Sequence, residues 1–256
     1  PELLVNLSLP QNASRQATTR EAERLDTILA ADTDVDRFST YVGAGAIRFY
    51  LPMDVLLSND NVAQSVVVAK DLAARDRVRS RLEAVMARDF GDLTSRVMPL
   101  ELGPPVGWPL KYRVTGRDPT KVREIALEVA NVVSRNPETR EVNLTSGEPQ
   151  RAVRIQLDQV GARAVGLSSQ DVASTLATIA AGRSVTSVRD GNRLIDVVLR
   201  AEAAERSDPA AFENLQISDG SGRQVPLRQI ASLAHGVEDP IVWRRQRQPI
   251  ITVQAD

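Results

Sequence analysis

Phe38, Tyr41, Phe49 and Tyr50 fall within thirteen positions in the segment FSTYVGAGAIRFYLP (38–52), around Gly43 and Gly45 and just ahead of Met53. The whole chain carries only four Phe, three Tyr and two Trp. Ring faces give broad, non-directional contact with apolar and cationic molecules. Glycines let the backbone beside them rearrange. The chemistry on offer is binding, with no bond made or broken. In the plainer reading Phe38 and Tyr41 belong to a strand core, and Phe49 and Tyr50 simply cover it.

Other reactive types are sparse. His235 is the single histidine and there is no cysteine, which nearly excludes a zinc or copper site built from imidazole and thiolate. A triad of the Ser-His-Asp kind has one candidate base. That base lies in LAHGVED, which reads as a connector carrying a surface histidine. Gly43 and Gly45 form GxG without the third glycine or a helix start, so no dinucleotide site follows. Asp158 with Asp171 is a weak carboxylate pair in a chain with 25% charged residues. The arginines of WRRQRQ (243–248) could grip phosphate, but 32 basic against 33 acidic residues leave no net field to attract nucleic acid. A solvated strand with salt-bridged arginines is the simpler reading. No enzyme, cofactor or resident metal is expected.

The elements that must position these residues repeat. LLVNLSL (3–9) alternates as a strand and stops at Pro10. Ser14 caps a helix to about Ala31, with Thr18, Ala22, Leu25 and Leu29 on one face. A strand near 35–42 enters the aromatic segment. AQSVVVAK (63–70) is the next strand, a helix follows from about Arg75 to Arg88 with Val78, Leu82 and Val85 on one side, and SRVMPLEL (95–102) is the fourth strand. The order β-α-β-β-α-β is that of a ferredoxin-like sandwich. LGPPVGWP (102–109) reads as a boundary. The pattern then restarts with LKYRVTG, a helix from Asp118-Pro119 to about Arg135 with Val122, Ile125, Val129 and Val132 as its stripe, and REVNLTS (140–146) as the returning strand.

From 151 to 235 the texture changes. RAVRIQLD is a strand, Ser168 and Asp171 form a capping box for a helix ending near Gly182, and VRDGNRLIDVVLR is a hairpin turning at Asp190-Gly191. ISDGSGRQVPL (217–227) holds a second tight turn, and PIITVQAD (249–256) resumes as a strand. The expected architecture is an insert within a second sandwich whose last helix and strand lie beyond Asp256. No window approaches the ~18 uninterrupted apolar residues of a spanning helix.

Tandem ferredoxin-like units and the insert together resemble the second large periplasmic loop of resistance-nodulation-cell division (RND) efflux transporters of the acriflavine-resistance type. Asp158, Arg163, Ala164, Gly166, Leu167, Ser168, Val172 and Leu176 match that family's docking subdomain, as does GRQVPLRQIASL (222–233) with Val225-Pro226-Leu227. GPPVGWPLKYRVTG and WRRQRQPIITVQAD resemble a small-molecule or metabolite-type branch. The resemblance implies an α+β fold of tandem ferredoxin-like β-α-β-β-α-β porter subdomains with an inserted α+β docking subdomain. Residues 1–101 are the expected first porter subdomain, 102–150 and 236–256 the second, and 151–235 the docking insert. It also implies periplasmic exposure, a homotrimer with the other half of the same transporter, an adaptor protein, an outer-membrane channel and amphiphilic small-molecule substrates. Proton-relay carboxylates belong to membrane helices outside this chain, which does not transport by itself. On the same basis Phe38, Tyr41, Gly43, Gly45, Phe49, Tyr50 and Met53 are the expected substrate contacts, and Arg189, Asp190, Gly191 and Asn192 the expected docking and assembly surface. The rival reading is a ligand-binding regulatory module built from ferredoxin-like domains.

Overall fold

The computed structural model describes residues 1–50, 53, 55–100, 107–203, 206, 212–218, 222–239 and 241–256. The sequence boundary at 102–106 and the turn at 219–221 lie outside the described residues. The fold is mixed α+β, and it divides into two units, residues 1–150 with 238–256 and residues 151–237.

The first unit opens with β1 (Glu2–Ser8), α1 (Arg15–Ala31), β2 (Val35–Val42), β3 (Val62–Ala69), α2 (Leu72–Asp89) and β4 (Thr94–Pro99). The strands pair antiparallel in the order β2-β3-β1-β4, the ferredoxin-like arrangement. Alternation decides the faces. Leu3, Val5 and Leu7 pack with Leu25 and Leu29 of α1 and with Val78, Leu82 and Met86 of α2 in one buried cluster, while Leu4, Asn6 and Gln64 take the other face. Ser14 accepts from the Ala17 amide at 3.2 Å and Asp71 from the Ala74 amide at 2.7 Å, so both helix starts have their orphan donors partly satisfied. The turn from α1 into β2 is held by α2. Arg81 reaches Asp32 and Asp34, and Arg77 reaches Asp34. Those guanidinium hydrogen bonds, Arg77 first, hold the Asp34 carboxyl far below the usual carboxylate range.

The second lobe of this unit contains β5 (Leu110–Thr115), α3 (Pro119–Ser134), β6 (Asn143–Leu144), β13 (Arg244–Arg245) and β14 (Gln248–Ala255). β14 pairs with β5 on one side and with β6 and β13 on the other. Asp118 caps α3 by accepting from the Thr120 amide at 2.9 Å. The stripe expected from sequence is half right. Val122 and Ala126 are buried against Ile251 and Val253, with Val129 beside them, but Ile125 is 46% and Val132 67% exposed. Those two positions lie about a quarter turn round the helix from the buried line. The arginine segment also differs from expectation. It is a tight hairpin in which Gln246 (φ 51°) and Arg247 (φ 67°) supply the left-handed turn and Arg244 and Arg245 stay exposed.

The second unit is built on β7 (Gln150–Leu157) paired with β12 (Ala231–Glu238), two helices, α4 (Gln159–Ala164) and α5 (Ser169–Ala180), and the short pair β10 (Gln216–Ser218) and β11 (Gln224–Pro226). Its core is Ala162, Leu167, Val172, Ile217, Val225, Leu227 and Ile230. Asp158 accepts from the Val160 and Gly161 amides. Ser168 and Asp171 form the reciprocal capping box read from the sequence. The two carboxylates are therefore helix caps. His235 lies on β12 and is exposed, correcting its assignment to a connector. Its segment pairs with β7, and no local pattern reveals that partner.

From the second unit projects the hairpin of β8 (Arg183–Asp190) and β9 (Arg193–Leu199), every residue of which is exposed. Asp190 pairs with Arg193, so the turn is Gly191-Asn192, one residue later than the sequence suggested, with Gly191 at φ 58°. Among the described residues no helix is long and apolar enough to cross a membrane.

The facing of α3 can be checked by thermal denaturation. Val122→Ala removes buried methyl groups and is expected to cost roughly 2 kcal/mol. Val132→Ala, which the sequence stripe treats as equivalent, is expected to stay within about 0.5 kcal/mol. Equal losses for the two variants contradict the observed packing.

Candidate functional site

The aromatic–glycine loop leaves β2 and folds back over the sheet face away from the helices. Its anchor is Gln64, buried at 2% exposure on β3. The Gln64 amide donates to Asn6 Oδ1 at 2.7 Å, and its Oε1 accepts from the Ala46 amide at 2.8 Å. One carboxamide thus satisfies strand and loop together, and removing it leaves buried partners unpaired. The loop limbs also pair directly, with the Gly43 amide donating to Val62, the Gly45 amide to Leu56 and the Asn59 amide to Gly43. Gly43 sits at φ 79° against the Arg15 guanidinium, and a side chain at Gly45 would meet Leu56 at 2.9 Å. Both glycines are required by close approach and, at Gly43, by backbone conformation.

The sequence-predicted contacts separate within this loop. Phe38 packs against the core of the first lobe, Tyr41, three residues along β2 and paired with Gln64, is 36% exposed, and Met53 is buried. Phe49 is 42% exposed and Tyr50 half-buried. None of the seven lies on the wall of the cleft that Leu9, Trp108 and Trp243 line; Leu56 from the same loop does. The four hairpin residues Arg189, Asp190, Gly191 and Asn192 lie on the exposed tip in the second unit.

That cleft, of about 810 Å³, runs between the two lobes of the first unit. The volume suits a small organic molecule. One wall comes from Leu9, the end of α2 at Met86 and Phe90, and β4; the other comes from Leu127, the stretch 141–145 and Trp243. Both tryptophans of the chain, Trp108 and Trp243, line it. Trp243 is half exposed and fixed by its indole N–H, which donates to the Thr145 carbonyl at 3.0 Å. A fixed ring with an open face is a ready apolar contact.

The lobes are joined at the cleft by Arg96 of β4. Its guanidinium donates to both Asp256 oxygens at 2.6 Å and to the Gly107 carbonyl at 2.7 Å, and it stacks over the Trp108 ring at 4.5 Å. Beside it, Arg140 donates to Glu83 of α2 at 2.7 Å. The strand expected over 140–146 is interrupted here. Arg140 and Asp256 exchange backbone hydrogen bonds, while Asn143 pairs with Gln254. Two residues, Glu141 and Val142, therefore oppose the single Ala255, which is a β-bulge. Glu141 holds φ 54°, a left-handed conformation rare for a residue with a side chain. Its carboxyl borders the cleft and a second hollow lined by Arg79, Glu83 and Glu138. Burial, then the negative charges of Asp256 and Glu83, push this carboxyl above its ordinary range, against a hydrogen bond from Ser95 and the charge of Arg96. The sequence offered no sign of this site. Its members are separated by up to 160 residues.

Comparison with known proteins adds a family. The sequence profile of the AcrB/AcrD/AcrF family matches residues 2–256. Among curated proteins, the nickel and cobalt resistance protein CnrA of Cupriavidus metallidurans is 32% identical over 125 residues, 46% of this chain and 11% of that protein. The cobalt-zinc-cadmium resistance protein CzcA of the same organism is 30% identical over 128 residues, 47% of this chain and 12% of that protein. Two crystal forms of a heavy metal efflux pump share the fold over 99% of this chain, at TM-scores of 0.75 and 0.78, 21% and 20% identity, and 27% and 26% of those longer chains. The chain thus spans about an eighth or less of the length of these resistance proteins and about a quarter of the efflux pump chains.

The bulge makes a pH test available. Because the folded chain holds the Glu141 proton more tightly than the unfolded chain, the stability it contributes is present below the ordinary carboxylate range. It is lost as pH rises through the raised value. Glu141→Gln removes that dependence. Its melting point relative to wild type is expected to climb by a few degrees between mildly acidic and neutral pH. A difference that stays flat or falls over that interval contradicts the observed environment of Glu141.

Proposed function

This chain belongs to the AcrB/AcrD/AcrF family, and on that footing we propose that it is the periplasmic substrate-capture and docking portion of a proton-driven RND efflux transporter, the second large periplasmic loop of an acriflavine-type pump. The cleft between the lobes of the first unit receives amphiphilic small molecules. The observation that carries the reading is the wall of that cleft, which both tryptophans of the chain line. An aromatic surface with amide and carboxylate groups suits molecules that combine an apolar body with a polar or charged end. The two matched resistance proteins are named for nickel, cobalt, zinc and cadmium. Those ions favour imidazole or thiolate ligands, and this chain has one histidine and no cysteine. Organic substrates fit its donor set better.

The parsing into a first porter subdomain (1–101), a second (102–150 with 236–256) and a docking insert (151–235) is part of the same proposal. So is the role of the aromatic loop, whose exposed Phe49 and half-buried Tyr50 present rings beside a backbone closed by two glycine contacts. The β8–β9 hairpin is proposed as a docking surface of a homotrimer that works with the other half of the transporter, an adaptor protein and an outer-membrane channel. It exposes Val188, Leu194, Ile195 and Val197 around the tip Arg189–Asn192, more apolar surface than an isolated two-stranded ribbon leaves to water without a partner.

The test is resistance conferred by the complete transporter in a host stripped of its own pumps. Wild type is expected to protect against amphiphilic organic compounds, and Trp243→Ala to reduce that protection severalfold with expression unchanged. Protection confined to cobalt and nickel, indifferent to Trp243→Ala, overturns the organic-substrate reading.

A further inference from the structure

We propose that Glu141 selects cationic ligands in the cleft, pairing with the protonated amine of an organic ammonium compound while the tryptophan wall takes its apolar part; this assignment rests on the cleft being the ligand site. The backbone supplies the first observation. Glu141 occupies the left-handed position of a β-bulge, where glycine is the unstrained choice. A bulge re-aims the side chain it carries, and strain of this kind collects at sites where a particular side chain is needed.

The second observation is the state of the surrounding charges. Glu83 faces Glu141 from α2, Arg96 from β4 and Asp256 from the end of β14. Each nearby guanidinium is engaged by a carboxylate other than Glu141: Arg79 and Arg140 share Glu83, and Arg96 pairs with Asp256. Glu141 is left with a hydrogen bond from the Ser95 hydroxyl. A half-buried carboxylate beside two others is costly until a cation neutralises it. Its place on the cleft wall, together with Asn143 and Trp243, means that the cation can arrive as a ligand. A single carboxylate with hydroxyl and amide neighbours hydrogen-bonds well to an ammonium group. It is a poor set for nickel or cobalt.

The two tryptophans make the test direct, since both report on the cleft. The 256-residue chain is titrated with phenylbutylammonium, phenylbutanol and phenylbutyrate, following tryptophan fluorescence, with heats of binding as a second readout. Phenylbutylammonium is expected to bind about tenfold more tightly than the alcohol, the scale of one partly buried charge pair. Glu141→Gln is expected to bring the ammonium compound to the alcohol's affinity and leave the alcohol unchanged. Glu141→Gly, which suits the left-handed bulge, guards against misfolding and is expected to behave alike. An ammonium preference that survives in both variants, or that is missing in wild type, overturns the assignment. Displacement of phenylbutylammonium by cobalt or nickel ions in wild type, lost in Glu141→Gln, also overturns it in favour of a metal-binding role. Failure of all three probes to alter the fluorescence or release heat overturns the cleft as ligand site, and this assignment with it.

Discussion

The guanidinium of Arg96 joins two lobes that otherwise keep separate apolar cores. It spends its donors on both oxygens of Asp256 and on the Gly107 carbonyl, and its flat face covers Trp108. The side chain is only 14% exposed, so the pair is shielded from the competition with water and salt that makes surface ion pairs weak. Geometry matters more than charge here. A planar fork matched to a carboxylate fixes the spacing and angle of β4 against the end of β14, and those two strands belong to different lobes. A lysine at the same position keeps the charge but loses the fork and the stacking. The width of the cleft beside Arg96 is set by this contact together with the Arg140–Glu83 pair next to it.

With the lobes fixed at that point, the irregularity at Glu141 becomes intelligible. Arg140 must meet Asp256 through the backbone and Glu83 through its side chain, while Asn143 and Leu144 must stay in register with β14. One residue too many lies between those anchors, and the bulge absorbs it. Glu141 is consequently turned out of the ladder into a half-buried setting beside Glu83 and Asp256, whose charges are already taken up by Arg79, Arg140 and Arg96. The loop after β2 follows the same logic on the neighbouring sheet. Gln64 can satisfy its carboxamide only by gripping strand and loop together, which leaves Phe49 and Ile47 outside as exposed apolar groups.

Local features were legible in the sequence where the signal lies within a few residues. Ser14, Asp118, and Ser168 with Asp171 cap the helices they were expected to cap, because capping is a three-residue interaction. The line Thr18, Ala22, Leu25 and Leu29 is buried as its spacing implied. The stripe of α3 was misread because small Ala126 carries the contact and the larger Ile125 and Val132 do not; size and hydrophobicity alone point to the wrong side. The pairing of β12 with β7 joins segments far apart in the chain, so the exposed His235 looked like part of a connector. The candidate site was illegible for the same reason. A bulge is defined by its partner strand, and Arg96 finds Asp256 across 160 residues.

The most direct measurement of the central claim is the position of a bound ligand in the complete transporter. A brominated amphiphilic ammonium compound, located by its bromine signal in a crystal, is predicted to lie between β4 and the Glu141 bulge, with its apolar body on Trp243 and its nitrogen within hydrogen-bond distance of the Glu141 carboxylate. Bromine found only elsewhere in the transporter, with this cleft unchanged and unfilled at saturating ligand, contradicts the account.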